Sequence, residues 1–155
     1  PILRKNNLVT IVNDSIKLLS ELDKSIEIAF IKNFENIFLE CDQEQLSRVF
    51  LNLIKNSIES IQQKSENISK FKKKITIELN DIDGHITMII TDNGIGFSKF
   101  SENIKDVLNP YITTKKNGTG LGLSIVNKIV NDHNGKIEFI PIQEGAKIKL
   151  IFYNI

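Results

Sequence analysis

The 155 residues are 41% hydrophobic, enough for one domain with its own core, and the formal net charge of +1 excludes nucleic-acid binding driven by bulk electrostatics. No apolar run reaches the roughly 18–20 residues that span a bilayer, no signal peptide is present, and membrane contact by this segment is not expected. The single cysteine, Cys41, excludes an internal disulfide framework and fits a reducing compartment, with a cytoplasmic location expected.

Residues 1–7 are polar and read as a linker from a preceding segment; the abrupt start at Pro1 suggests a piece of something larger. Residues 8–155 read as one domain. From Leu8, the apolar positions Leu8, Ile11, Val12, Ile16, Leu18, Leu19 and Leu22 have helical spacing. Asp23-Lys24-Ser25 breaks that pattern. Ile26, Ile28 and Phe30 then alternate as in a strand, residues 33–36 turn, and Ile37-Phe38-Leu39 forms a short second strand. Asp42 is placed to cap a helix, with Gln45 completing a capping box.

The next helix runs from about Gln43 to Gln63. Leu46, Val49, Phe50, Leu53, Ser57, Ile58 and Ile61 form one buried face. A second stripe is polar: Gln45, Asn52, Asn56, Glu59 and Gln63. Solvent accounts for Gln45 and Gln63. Two asparagines one turn apart are less expected, because Asn is a poor helix former. Their amides can hydrogen-bond phosphates, or offer an oxygen to a hard cation.

Residues 64–74 read as a polar loop, and its cluster Lys70, Lys72, Lys73 and Lys74 as a solvated surface. Ile75, Ile77 and Leu79 alternate with polar residues, residues 81–84 turn, and Ile86 to Thr91 is nearly continuously apolar, as in a central strand. Asp92 stands at its C-terminal end, where a carboxylate can accept a hydrogen bond from an exocyclic amine. Gly94 and Gly96 would let the backbone turn closely beneath a flat ring.

Phe97 to Asn117 is long and weakly periodic, a pattern that reads as a mobile lid over a ligand. Lys115, Thr113 and Thr114 precede Gly118-Thr119-Gly120-Leu121-Gly122-Leu123, which runs into an apolar helix ending near Asn131. Alternating glycines before a helix N-terminus suit phosphate oxygens. Asn134-Gly135 ends the helix, and Ile137-Phe139 with Ile148-Leu150-Phe152 makes a final hairpin around residues 141–145. Helix, two strands, helix, two strands, lid, helix and two strands imply an α/β (α+β) two-layer sandwich, a mixed sheet with helices on one face.

At this point the chain resembles the ATP-binding catalytic domain of bacterial sensor histidine kinases, a superfamily shared with gyrase-type topoisomerases, Hsp90 and the MutL mismatch-repair proteins. The resemblance covers about residues 42–152 and implies the Bergerat ATP-binding fold. Asn52 to Ser60 matches the N box, Asp92 to Phe97 the G1 box, and Gly118 to Leu123 the G2 box in full. Pro110 to Lys115 matches the F box, with Tyr111 where Phe is usual. His133-Asn134-Gly135 is similar to a His-Gly-Gly turn of many members. The Pro-Tyr-Ile-Thr-Thr form looks most like the nitrogen-regulation NtrY-like branch. Ala146 departs from a usual Thr near the adenine, and Phe152-Tyr153 from a usual Leu-Pro.

The resemblance implies that Asn56 ligates Mg²⁺ bridging the phosphates of ATP, with Asn52 and Lys55 beside them. It gives Asp92 the adenine amine, and Gly94, Ile95, Gly96 and Phe97 the walls of the adenine pocket. Tyr111 would anchor the lid, with Thr113, Thr114 and Lys115 near the phosphates. Gly118, Thr119, Gly120, Leu121, Gly122 and Leu123 would hold those phosphates through backbone amides. Relatives of the gyrase kind carry a Glu where Asn52 stands, as a base for water, so slow or no intrinsic hydrolysis is expected. Neither His85 nor His133 has the context of a phosphoacceptor. The nucleophile is then expected on a dimerisation and phosphoacceptor domain of the same kinase, with a response regulator further along and this domain itself a monomer. An anti-sigma-type serine kinase, a gyrase-like or Hsp90-like ATPase and an inactive interaction module are the alternatives.

Overall fold

The structure is a computed structural model that describes residues 1–96 and 121–154. Its elements are β1 (Arg4–Asn7), α1 (Leu8–Leu19), β2 (Glu27–Lys32), β3 (Phe38–Cys41), α2 (Gln43–Ser65), β4 (Lys74–Ile82), β5 (His85–Asp92), α3 (Leu121–Asp132), β6 (Lys136–Ile140) and β7 (Ala146–Tyr153). Strands β2-β4-β5-β7-β6, in that spatial order, form one mixed sheet. The β2–β4 pair is parallel and the other three pairs are antiparallel.

Alternation decides which face of the sheet is covered. Ile75, Ile77 and Leu79 of β4, Ile86, Met88 and Ile90 of β5, and Ile148, Leu150 and Phe152 of β7 are all buried against the helices. Their neighbours in sequence point the other way and are less buried, so β5, the central strand, alternates in burial, with Thr87, Ile89 and Thr91 on its other face. The covering layer is α1 against α2 and α2 against α3, with α2 reaching β5 and α3 reaching β6. Leu46, Val49, Phe50, Leu53, Ile54, Ile58 and Ile61 bury the inner face of α2. Each such side chain contributes about 1.5–3 kcal/mol of transfer free energy. The expected two-layer sandwich is the observed fold.

Four local expectations are corrected. Residues 1–7 are not all linker: Arg4–Asn7 is a strand, paired antiparallel with β3 in a separate two-stranded ribbon. It lacks apolar alternation because it is held by its backbone ladder and by Asn6, whose amide donates to the Cys41 carbonyl at 2.9 Å. Leu22 lies beyond the end of α1, and Leu18 and Leu22 are exposed, outside the buried face that the spacing suggested. Asp42 does cap α2, its carboxylate accepting the Gln45 N–H at 3.1 Å, but the capping box is not reciprocal. The Asp42 N–H goes instead to His133 Nε2, 3.1 Å away at the end of α3. Gln45 is not a solvated side chain either: its Oε1 is buried, with no partner among the described residues.

The last turn of α3 closes in the way its sequence implies. Asn134 takes the left-handed conformation (φ 56°), and the Gly135 N–H returns to the Val130 carbonyl at 2.9 Å. Glycine at 135 meets a packing demand, since a Cβ there would sit 2.7 Å from the Ile151 carbonyl oxygen.

Candidate functional site

Two ends of a candidate site are built along a single helix. Asn52, Asn56, Ser60 and Lys64 follow one another at four-residue spacing on α2, so they share one face. From Asn52 to Ser60 the helix rises about 12 Å. At the near end, the first turn of α3 comes down on the asparagines. A Cβ added to Gly122 would lie 3.6 Å from Asn52 Oδ1 and 3.9 Å from Asn56 Nδ2, ordinary contact distances. Both asparagines are half-buried, whereas Lys55 is exposed beside them. Leu121 opens α3, and Leu123 is partly buried and packs against the core.

At the far end, β5 delivers Asp92. It continues the helix-facing phase of Ile86, Met88 and Ile90, and its side chain is 4% exposed. Its Oδ1 accepts the Gly94 N–H at 2.9 Å, which bends the chain off the sheet in an Asx turn. Ala146 lies directly opposite Asp92 on β7.

The turn after Asp92 is pressed between two walls, and this is why it needs glycine. A Cβ at Gly94 would lie 2.6 Å from the Ser60 carbonyl carbon and 2.8 Å from the Ile61 nitrogen, inside the α2 backbone. One residue on, the Ile95 N–H donates to Ser60 Oγ at 3.0 Å. Gly96 (φ 78°) packs against Gly145 (φ 90°) in the β6–β7 turn, and a Cβ on Gly145 would fall 2.7 Å from the Asp92 carbonyl carbon. The sequence suggested that Gly94 and Gly96 allow approach to a flat ring. The approach seen is to protein: α2 on one side, the last hairpin on the other.

Sequence reading missed several residues that build this end. Ser60 lies one turn beyond Asn56 in the same stripe, a signal available from spacing alone. Gly145 had none, because its partner is distant in sequence. Asn93, inside the G1 box, has no role of its own in the sequence reading, yet its side chain accepts the Lys74 N–H at 3.0 Å and donates to the Lys72 carbonyl, tying the turn to the start of β4. Lys64 donates to the Asn93 carbonyl at 2.9 Å. Phe97, Tyr111, Thr113, Thr114, Lys115, Gly118, Thr119 and Gly120 lie outside the described residues, as does the whole of the expected lid.

The two histidines take structural positions. His133 Nδ1 bonds the Ile129 carbonyl at 2.8 Å while Nε2 accepts from Asp42, a pattern satisfied by the neutral Nδ1–H tautomer. His85 stands edge-to-face with Tyr153, ring centroids 5.2 Å apart. Among the described residues no group of three or more His, Cys, Asp or Glu side chains is placed to hold a metal ion. None of the described helices is long and apolar enough to cross a membrane.

Comparison with known proteins agrees with this geometry. A family described as histidine kinase-, DNA gyrase B- and HSP90-like ATPase matches residues 41–153. A putative sensor histidine kinase, NtrY-like, of Rickettsia conorii is 35% identical over 153 residues, 98% of this chain and 24% of that protein. The chain thus spans about a quarter of the length of that relative. The catalytic domain of histidine kinase ThkA superposes with a TM-score of 0.82 at 26% identity, covering 97% of this chain and 95% of that one. ThkA in complex with response regulator protein TrrA gives a TM-score of 0.77 at 24% identity, over 97% of this chain and 41% of that one. This chain therefore belongs to the family of histidine kinase-, DNA gyrase B- and HSP90-like ATPases.

Proposed function

We propose that this chain is the ATP-binding catalytic domain of a two-component sensor histidine kinase. One observation carries the reading: a single face of α2 presents two amides to the N-terminus of α3 at one end, and braces the turn after buried Asp92 at the other. An extended nucleotide has the same polarity, anionic at one end and an aromatic amine at the other. Residues outside the described part enter this reading through the resemblance alone.

At the triphosphate end, backbone N–H groups at the start of α3 face the phosphates, with Gly118 to Leu123 completing the loop and Lys55 adding positive charge. The donor set suits a hard cation: Asn56 offers an amide oxygen, and a site with few carboxylates leaves most of the coordination of Mg²⁺ to phosphates and water. When bound, Mg²⁺ supplies charge neutralisation. At the base end, the Asp92 carboxylate accepts from the adenine amine, held in place by the Gly94 N–H.

Asn52 decides the fate of the γ-phosphoryl group. An amide cannot accept a proton from water as a carboxylate does, so the triphosphate is held and oriented without an internal base. Transfer then awaits a stronger nucleophile, an imidazole on a dimerisation and phosphoacceptor domain of the same kinase. The bond between the γ-phosphorus and the bridging oxygen breaks, a phosphorus–nitrogen bond forms, and ADP leaves; positioning and charge neutralisation do most of the work. A response regulator would receive the phosphoryl group afterwards, the kind of partner seen with ThkA. The chain acts in the cytoplasm in this reading, as a monomeric domain. A serine kinase of the same fold is the second reading, and the two differ in product chemistry, since phosphohistidine is acid-labile.

Calorimetric titration tests the site. ATP with Mg²⁺ should bind saturably, and binding should weaken about tenfold or more in EDTA or in Asn56→Ala, the equivalent of one charge-assisted contact. Absence of binding by the folded wild-type chain overturns the assignment. Acid-labile transfer to an added phosphoacceptor domain then distinguishes histidine kinase from serine kinase.

A further inference from the structure

We infer that Lys64 is a positioning residue for the base-binding end of the site, holding the turn that aims Asp92. This rests on the reading of the candidate site as a nucleotide site. Lys64 is the last member of the α2 stripe and its side chain is only 14% exposed. A lysine is seldom so enclosed without specific partners. Three surround its ammonium. Nζ donates to the Asn93 carbonyl at 2.9 Å, lies 4.5 Å from the centre of the Phe71 ring, and stands 4.0 Å from the Glu144 carboxylate. Glu144 is 81% exposed, so that pair is weak and the first two contacts dominate.

The position of the carbonyl gives this cluster its consequence. Asn93 follows Asp92 directly and precedes Gly94, whose N–H orients the Asp92 carboxylate. The peptide that carries the Asn93 carbonyl therefore carries the Gly94 N–H as well. Fixing the oxygen with a charge-assisted hydrogen bond fixes the N–H on the opposite side of the same plane. Lys64 in this way holds the donor that sets the angle of Asp92. Phe71, from the segment between α2 and β4, holds the lysine in turn, and the Asn93 side chain pins the same segment at Lys72 and Lys74. Along α2, Lys64 lies about 12 Å from Asn56 and about 18 Å from Asn52.

Loss of the ammonium should therefore act on recognition of the base and spare the phosphates. Lys64→Met keeps the stem against Phe71 and removes the charge. With calorimetry on this chain, it should weaken ATP about tenfold and leave inorganic tripolyphosphate within about twofold of wild type. Lys64→Arg, which can still stack on the ring and donate, should recover ATP affinity to within about threefold. Equal losses for ATP and tripolyphosphate in Lys64→Met, or no loss for either, would overturn the inference. Should Lys64→Met not fold, amide exchange at Gly94 and Ile95 in Phe71→Leu replaces it: faster exchange there with Gly122 unchanged supports the brace, and unchanged exchange refutes it. If wild type binds no ATP, it is the proposed function that fails, and the exchange measurement still judges the brace.

Discussion

At the level of single residues, the site owes its shape to atoms that are missing. Gly94 lies so near α2 that any side chain would enter the helix backbone. Gly94→Ala should destabilise the fold by about 3 kcal/mol, the upper end of the usual range for overpacking, and should abolish ATP binding. Removing the Ser60 hydroxyl as well should not rescue it, because the Ser60 carbonyl carbon, 2.6 Å from the added Cβ, stays where it is. Urea denaturation of the single and double variants checks this: recovery in Gly94→Ala/Ser60→Ala would place the conflict at the hydroxyl alone. The sequence made both glycines of this turn visible as a pair with Asp92. It could not tell contact with a ligand from contact with protein, since either demands the same absent Cβ. Ser60 and Gly145 identify the partner, and their closeness to the turn exists only after folding.

At the level of elements, the ends of α2 and α3 are coupled through one imidazole. His133 satisfies the Ile129 carbonyl and the Asp42 N–H together, so the last turn of α3 is tied to the first of α2. His133→Ala leaves that N–H without its partner and should cost about 1–3 kcal/mol, read as a lower urea midpoint. A helix-capping motif in the sequence assigned the same N–H to Gln45; the motif is local, and a competitor 91 residues away is not visible to it. The carboxylate of Asp42 gives this junction a pH dependence. Hydrogen bonds from the Ile2 and Gln45 N–H groups hold it below the ordinary 3.8, so the folded state binds this proton less readily than the unfolded chain. Stability from Asp42 is then fully present above that ordinary value and is lost as pH falls through the lower folded one. Asp23, lowered chiefly by the Ser25 hydroxyl, acts in the same direction. Stability measured by urea should decline as pH falls below about 4. Asp42→Asn should make the decline shallower, leaving the part due to Asp23; an unchanged slope would show that Asp42 does not titrate differently on folding.

At the level of the whole molecule, the layers were legible because the large elements carry their own patterns: a period of three and four in α2, of two in β4 and β7, and a nearly continuous apolar run in β5. What was not legible was assembly without periodicity. Strand β1 reads Arg-Lys-Asn-Asn, shows no apolar face, and is a strand only because β3 offers it a ladder. The same reasoning governs ligand response. The candidate site joins α2, β5, α3 and the β6–β7 turn, elements from both halves of the chain, so folding has to bring them together. A nucleotide that binds only the folded form stabilises it by RT ln(1 + [L]/Kd), about 2.7 kcal/mol at a hundred times Kd. For a domain of this size that should raise Tm by about 5–11 °C. A tenfold weaker Kd leaves about 1.4 kcal/mol at the same ATP concentration, so the rise should fall by about half or more without Mg²⁺ or in Asn56→Ala, and Asp92→Asn should reduce it without lowering the ligand-free Tm to the same degree. Thermal melts across an ATP series check all three together. A rise undiminished in both variants would mean that nucleotide binds somewhere other than along the face of α2, and the assignment of the site would fall with it.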